Sequence, residues 1–230
     1  MKTLLSALCL LLLLLCGSNA FANDAIDAGM KVDEARLVML KLINSPDSAI
    51  PLDIMSHATA IIIIIPSMLK GGFIVGASYG SGVVLIRQES GRMGPPVFFN
   101  AGGASLGLQI GGQSTDLVLI VASNNGLGRL LKNEMTIGTD MSVSLGPVGR
   151  HAKVAVSGAS TSADLYSYSS SAGLFAGVSL DGTGLSFDQE TTSNYYGRSL
   201  SLTEASTSGA ATIPQSGEEL MQVINRYMGY

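Results

Sequence analysis

The sequence has little of the material from which most catalytic and metal sites are built. Its 230 residues include two cysteines, two histidines and no tryptophan, and only 13% of them are charged. Both cysteines, Cys9 and Cys16, lie in an N-terminal apolar run. The rest of the chain contains no cysteine, so it cannot form a disulfide, a thiolate metal ligand or a cysteine nucleophile. With so few histidines as well, we expect neither a metal ion nor a cofactor.

The overall composition excludes two further classes of protein. The formal net charge is −4, whereas a nucleic-acid binder needs a basic surface to displace phosphate counterions. The hydrophobic fraction of 47% is too high for a disordered chain. Twenty-eight glycines beside 6% aromatic residues are typical of a β protein whose backbone segments pack closely.

The first 22 residues have the pattern of a secretory signal peptide. Lys2 supplies a positive charge, residues 4–16 are almost entirely apolar, and Ala20-Phe21-Ala22 is a small-x-small cleavage site. We therefore expect residues 23–230 to form a single exported domain, periplasmic or secreted. A lipid anchor at Cys16 is the less favoured alternative, because Leu15 stands where a small residue is expected.

The segment from Asp24 to Asn44 is predicted to be an amphipathic helix. Its large apolar residues recur at helical spacing between charged ones, at Ile26, Met30, Leu37, Leu40 and Ile43. We expect this face to cover the core of the domain. The alternative is that it lies on a membrane surface.

The rest of the chain favours an α+β fold with a Gly-rich, mostly antiparallel sheet or barrel-like core, N-terminal helices and a C-terminal helix. A short helix at 51–58, one at Asn124–Lys132 capped by Asn124 or Asn125, and one at Glu218–Tyr227 after a linker at Thr203–Ser216 are expected. Strands are predicted at 59–65, 73–79, 82–87, 97–101, 105–112, 116–122, 136–145, 152–158, 163–169, 174–179 and 184–187.

Two motifs resemble serine-hydrolase signatures. The run 103–107 (G-A-S-L-G) would make Ser105 a nucleophile, with Asp116 or Asp140 and then His151 following in hydrolase order. The residues after Ser105 are strand-like and Gly-rich, however, whereas the mechanism requires a sharp turn into a helix. Ser67-Met68-Leu69-Lys70 fits S-x-x-K but lacks its companion motifs. Both matches are interpreted as chance, which leaves the hydrolase as an alternative function.

Charge is unevenly distributed along the chain. Residues 154–230 carry seven acids and two bases, whereas residues 61–153 carry seven bases and four acids. A basic centre of this kind could meet anionic headgroups, but ordinary solvated loop charge is the favoured interpretation, because the excess is small. The candidate lipid-binding residues are these seven bases: Lys70, Arg87, Arg92, Arg129, Lys132, Arg150 and Lys153.

A series of ordered motifs resembles the SYLF domain family. They extend over roughly residues 30–200 and comprise 64–73 (I-I-P-S-M-L-K-G-G-F), 80–83 (G-S-G-V), 105–111 (S-L-G-L-Q-I-G), 113–118 (Q-S-T-D-L-V), 138–140 (G-T-D), 146–150 (G-P-V-G-R), 166–169 (Y-S-Y-S), 173–178 (G-L-F-A-G-V) and 194–197 (N-Y-Y-G).

The resemblance implies a non-enzymatic domain that binds membrane lipids, phosphoinositides in eukaryotic members. For this chain we expect a lipid-binding protein of the cell envelope, with anionic phospholipids as candidate partners. Lys70 and Arg150 are the first candidates for headgroup contacts, because each lies inside a matched motif. A structural envelope protein without a specific ligand is a further alternative.

Overall fold

The computed structural model of the chain describes residues 24–45, 49–65, 77–104, 117–133, 135–146, 163–169 and 182–230. Within them the helices are α1 (24–44), α2 (Leu52–His57), α3 (Asn124–Leu131), α4 (Gln189–Tyr196), α5 (Leu202–Ala205) and α6 (Gln215–Tyr227). The strands are β1 (Ala60–Ile65), β2 (Ala77–Ile86), β3 (Val97–Ala104), β4 (Leu117–Val121), β5 (Met135–Thr136), β6 (Val143–Leu145), β7 (Leu165–Ser169) and β8 (Gly184–Phe187).

The eight strands form one sheet in the order β5-β8-β3-β2-β1-β4-β7-β6, curled into a half-barrel. Every neighbouring pair is antiparallel except β6 and β7, which run parallel. The helices pack around this sheet, so the predicted α+β class, with N-terminal helices and a C-terminal helix, is confirmed. The predicted strands at 105–112, 152–158 and 174–179 lie outside the described residues, as does the signal peptide.

The run of isoleucines in β1 is explained by burial on both sides of the sheet. Ile61 and Ile63 face a first cluster of buried side chains, and Ala60 and Ile62 face a second. The first cluster includes residues of α1, α2 and α6, whereas Leu130 of α3 belongs to the second. Because neither side of the strand meets water from Ala60 to Ile63, this part of β1 is continuously apolar instead of alternating. We call these sides the first and the second face of the sheet.

The helix α1 covers the first face with a different set of residues from the one we expected. Ile26, Met30 and Leu37 are 61%, 52% and 59% exposed. The residues that pack against the core lie on the other side of the helix: Ala28, Val32, Ala35, Val38, Met39 and Leu42. At about 100° per residue, the three exposed side chains fall within an arc of roughly 40°, opposite the buried side. The expectation that they cover the core was therefore wrong.

The structure differs from the local predictions at four places. The strand expected at 136–145 is two short strands, β5 and β6, separated by a turn in which Gly138 has a φ of 85°. The N-cap of α3 is Ser123, whose side chain accepts a hydrogen bond from the Gly126 N–H, instead of Asn124 or Asn125. Helix α4 occupies a stretch for which no helix or strand is predicted above, and Asp188 is its N-cap. Helix α5 interrupts the expected linker.

Candidate functional site

Arg87 is held by the backbone at the end of β2. Its Nε donates to the carbonyl of Ala58 at 2.5 Å, and its two terminal nitrogens donate to Gly91 at 2.6 Å and Met55 at 2.9 Å. Met55 and Ala58 lie at the C-terminal end of α2, where carbonyls lack helical partners. The guanidinium therefore joins the end of α2 to the turn after β2. Its predicted contact with lipid is not tested by this arrangement and stays a prediction.

Arg129 of α3 is paired with an acid. Its Nη1 lies 3.3 Å from Oδ1 of Asp140, and the two side chains are 41% and 33% exposed. The other oxygen of Asp140 accepts a hydrogen bond from the Thr136 N–H at 3.0 Å. Because Asp140 already balances this charge, Arg129 attracts an anionic ligand less strongly than an unpaired cation would.

Arg92 and Lys132 are exposed cations. Within the described part of the chain, neither side chain has a hydrogen bond or an ion pair. Arg92 lies in the turn between β2 and β3, next to the helices of the first face, whereas Lys132 follows α3 on the second. The four described candidates are thus not one cluster. Lys70, Arg150 and Lys153 lie outside the described residues.

The outward apolar stripe of α1, formed by Ile26, Met30 and Leu37, is the surface that sequence reasoning assigned to the wrong side. A second set of apolar residues, including Ala28, Ala35 and Leu42, also recurs at helical spacing. This pattern indicates the side of the helix that is buried in the structure. The helix therefore has two apolar faces, one used by the core and one open to solvent. An outward apolar face of this kind is suited to a membrane interface.

An acid that could have served catalysis has a structural role instead. Asp164 accepts hydrogen bonds from the hydroxyls of Ser123 at 2.5 Å and Ser142 at 2.9 Å, and from the Ser142 N–H at 3.1 Å. Burial raises the pKa of Asp164, but the hydrogen bonds from Ser123, Ser142 and Asn125 together outweigh it and leave the pKa below its ordinary value. The carboxylate fastens the start of α3 to β6 and β7.

The other chemistry-bearing residues supply no catalytic group in the described part of the chain. His57 is 61% exposed, and its Nδ1 lies 2.8 Å from the Asp53 carbonyl within α2. Ser105 and His151 lie outside the described residues. Among the described ones there is no group of three histidine, cysteine or acidic side chains that could hold a metal ion. Nor is any helix there long and apolar enough to span a bilayer.

An open groove of about 510 Å³ lies where β3, β5 and β8 meet. Its polar walls are occupied by internal contacts, since Asn133 Oδ1 accepts from the Phe187 N–H at 2.6 Å and Asp140 pairs with Arg129. Its floor includes Gly102, above which a β-carbon would meet nothing within 4 Å. The groove has neither a paired nucleophile and base nor an unpaired cation among its lining residues: Asn100, Gly102, Asn133, Met135, Thr136, Asp140, Gly184, Leu185 and Ser186.

Comparisons with known proteins agree on one family. A family model described as "Ysc84: Las17-binding protein actin regulator" matches residues 102–227. The SH3 domain-containing YSC84-like protein 1 of Xenopus laevis is 33% identical over 185 residues, which cover 80% of this chain and 54% of that protein. The protein YSC84 of Saccharomyces cerevisiae is 31% identical over 180 residues, covering 77% of this chain and 38% of that protein.

The chain spans about half the length of the vertebrate relatives that it matches. No solved structure matches it.

Proposed function

The chain belongs to the Ysc84 (SYLF) family, and from that premise we propose that it is a non-enzymatic lipid-binding domain of the cell envelope that attaches to a membrane through the stripe of α1. The family is described as Las17-binding actin regulators, which concerns binding and regulation, not catalysis. The exported location is part of the same proposal and rests on the signal-peptide pattern of residues 1–22.

The observation that carries this proposal is the exposure of Ile26, Met30 and Leu37 on one side of α1. Full burial of such side chains is worth about 1.5–3 kcal/mol each, and these are already about half buried. Their transfer to the headgroup boundary is therefore worth about 2–5 kcal/mol in total. This supports weak, reversible attachment, comparable with that of a single short acyl chain.

The charges of α1 indicate that the stripe itself does not select anionic lipid. Residues 24–44 carry four acids and three bases. Asp33 lies in the same sector of the helix, 3.4 Å from Arg36. A stripe in these surroundings attaches mainly by apolar burial. Its contribution should therefore change little with ionic strength, because salt screens charges and not hydrophobic contacts.

Flotation with lipid vesicles tests the proposal. We expect the chain to float with vesicles, and the triple variant Ile26→Gln, Met30→Gln, Leu37→Gln to remain at the bottom of the gradient at any salt concentration. Leu131→Gln is the matched control, because Leu131 is 40% exposed on α3, which packs on the second face of the sheet. The control should float like the unsubstituted chain.

Two results would refute this function. One is that the chain floats with no vesicle composition, neutral or anionic. The other is that the chain without lipid is a dimer by light scattering and the triple variant is a monomer that floats normally. The stripe would then be a contact between copies of the chain instead of a membrane contact.

A further inference from the structure

Met30 is the only methionine that the described part of the chain exposes to solvent. It is 52% exposed, and Met221 of α6 is partly buried against the first cluster. The other described methionines are fully or almost fully buried: Met39, Met55, Met93, Met135, Met141 and Met228. A water-soluble oxidant should therefore reach the sulfur of Met30 before any other sulfur in these residues.

Met30 also lies between the other two members of the stripe along the axis of α1. It follows Ile26 by four residues and precedes Leu37 by seven, which places it about 6 Å and about 10 Å from them along the helix. Since all three side chains lie on the same outward side, a chemical change at the Met30 sulfur alters the middle of the proposed membrane contact.

We propose that Met30 is a reversible oxidation site that turns off the membrane attachment of α1. This inference rests on the proposed function and adds the regulation of that contact. The oxidant is hydrogen peroxide: the sulfur attacks one peroxide oxygen, the O–O bond breaks, an S=O bond forms and the second oxygen leaves as water. The thioether is oxidised by two electrons and the peroxide is reduced by two. Methionine sulfoxide reductases reverse the change.

The expected effect follows from the polarity of the product. A sulfoxide replaces the apolar thioether by a polar S=O group, which forms hydrogen bonds with water. Moving a half-exposed methionine to the headgroup boundary contributes about 4- to 14-fold in affinity. The sulfoxide loses this contribution, because burial would cost its hydrogen bonds with water. We therefore expect oxidation of Met30 to weaken vesicle binding about tenfold.

The fold should not respond to the same oxidation. Met30 lies on the side of α1 that faces solvent, whereas the residues that pack on the core lie on the other side. The sulfoxide is therefore solvated in the folded chain as well as in the unfolded one. We expect the far-ultraviolet circular dichroism and the urea midpoint to stay unchanged when Met30 alone is oxidised.

Limited treatment with hydrogen peroxide, followed by peptide mass spectrometry and vesicle flotation, tests the inference. Among the described methionines, Met30 should gain an oxygen atom first. The fraction of chain that floats should fall as this oxygen is gained, in line with a tenfold loss of affinity. Reduction by a pair of methionine sulfoxide reductases, one for each sulfoxide epimer, should restore flotation.

Two variants are matched controls. Met30→Leu has an apolar side chain without sulfur, so its flotation, whatever its level before treatment, should not change with peroxide. Met221→Leu removes the partly buried methionine of α6 and should respond to peroxide as the unsubstituted chain does. A loss of flotation on treatment of Met30→Leu equal to that of the unsubstituted chain would assign the effect to another residue and overturn the inference.

The remaining outcomes separate this inference from the proposed function. If the chain oxidised only at Met30 floats as well as the untreated chain, the inference is overturned and the function stands. If the buried methionines gain oxygen before Met30, the inference is overturned whatever the vesicles show. If the untreated chain does not float, the proposed function fails and the regulation fails with it, which is observed before any peroxide is added.

Discussion

Replacing Arg87 by glutamine should destabilise the fold. The guanidinium donates to three backbone carbonyls, on Met55, Ala58 and Gly91, at 2.5–2.9 Å. The Met55 carbonyl keeps a second donor, the Ala58 N–H at 3.3 Å. The loss therefore falls mainly on Ala58 and Gly91. Loss of the charged donor at these two carbonyls should lower the free energy of unfolding by about 3 kcal/mol.

Urea unfolding followed by circular dichroism measures this loss, and a thermal scan should give a midpoint about 6–12 °C lower for a chain of this size. Arg92→Gln is the control, because its side chain is exposed and has no partner in the described residues, and it should change stability by less than about 0.5 kcal/mol. Arg87→Lys should be intermediate, since an ammonium cannot span three carbonyls. Unchanged stability in Arg87→Gln would refute the reasoning.

Two further predictions concern α3 and its anchor. Gly126→Ala should destabilise by about 1–3 kcal/mol, because the added carbon would lie 2.7 Å from Met141 and 2.9 Å from Val121. A β-carbon at Gly128 would meet nothing within 4 Å, so Gly128→Ala should stabilise the fold by about 0.5–1 kcal/mol. If the urea midpoints of the Gly126 and Gly128 variants moved in the same direction, this packing would be contradicted. The lowered pKa of Asp164 contributes stability that is present above about pH 4 and lost as the pH falls through the folded value. Asp164→Asn should therefore be less stable than the unsubstituted chain at pH 7, and a difference that stays constant down to pH 3 would contradict that role.

The strands of the sheet were predictable where burial is continuous. The run from Ala60 to Ile65 is β1, and Leu117–Val121 is buried along its whole length. Helix α4 was not predictable, because its sequence is polar up to Tyr195. That helix depends on contacts with β3: the Thr192 hydroxyl accepts from the Phe98 N–H, and Tyr195 packs edge-on against Phe98 at 5.2 Å between ring centres. Such partners, about a hundred residues apart, leave no local pattern.

The candidate site was predictable in residue type but not in arrangement. A count of basic residues treats Arg87 and Arg92 alike, although one is enclosed by backbone carbonyls and the other is exposed. The difference depends on α2, which lies about thirty residues before Arg87 in the sequence. Arg226 was not among the candidates, because it lies in an acidic segment. The pairing of Asn225 with Met93, which places the end of α6 against the turn that carries Arg92, has no local sequence signal either.

The two apolar faces of α1 differ in a way that supports a binding role. The side of α1 that faces the sheet combines small residues, Ala28 and Ala35, with larger ones such as Met39 and Leu42, whereas Ile26, Met30 and Leu37 face solvent. A helix selected only for the stability of this domain gains nothing from large apolar side chains in water, and polar residues there would serve solubility better. We infer that the outward residues have their use in a contact that is not made among the described residues. The three side chains lie within a narrow arc. This arrangement fits a contact that removes only one side of the helix from water, as a membrane surface does.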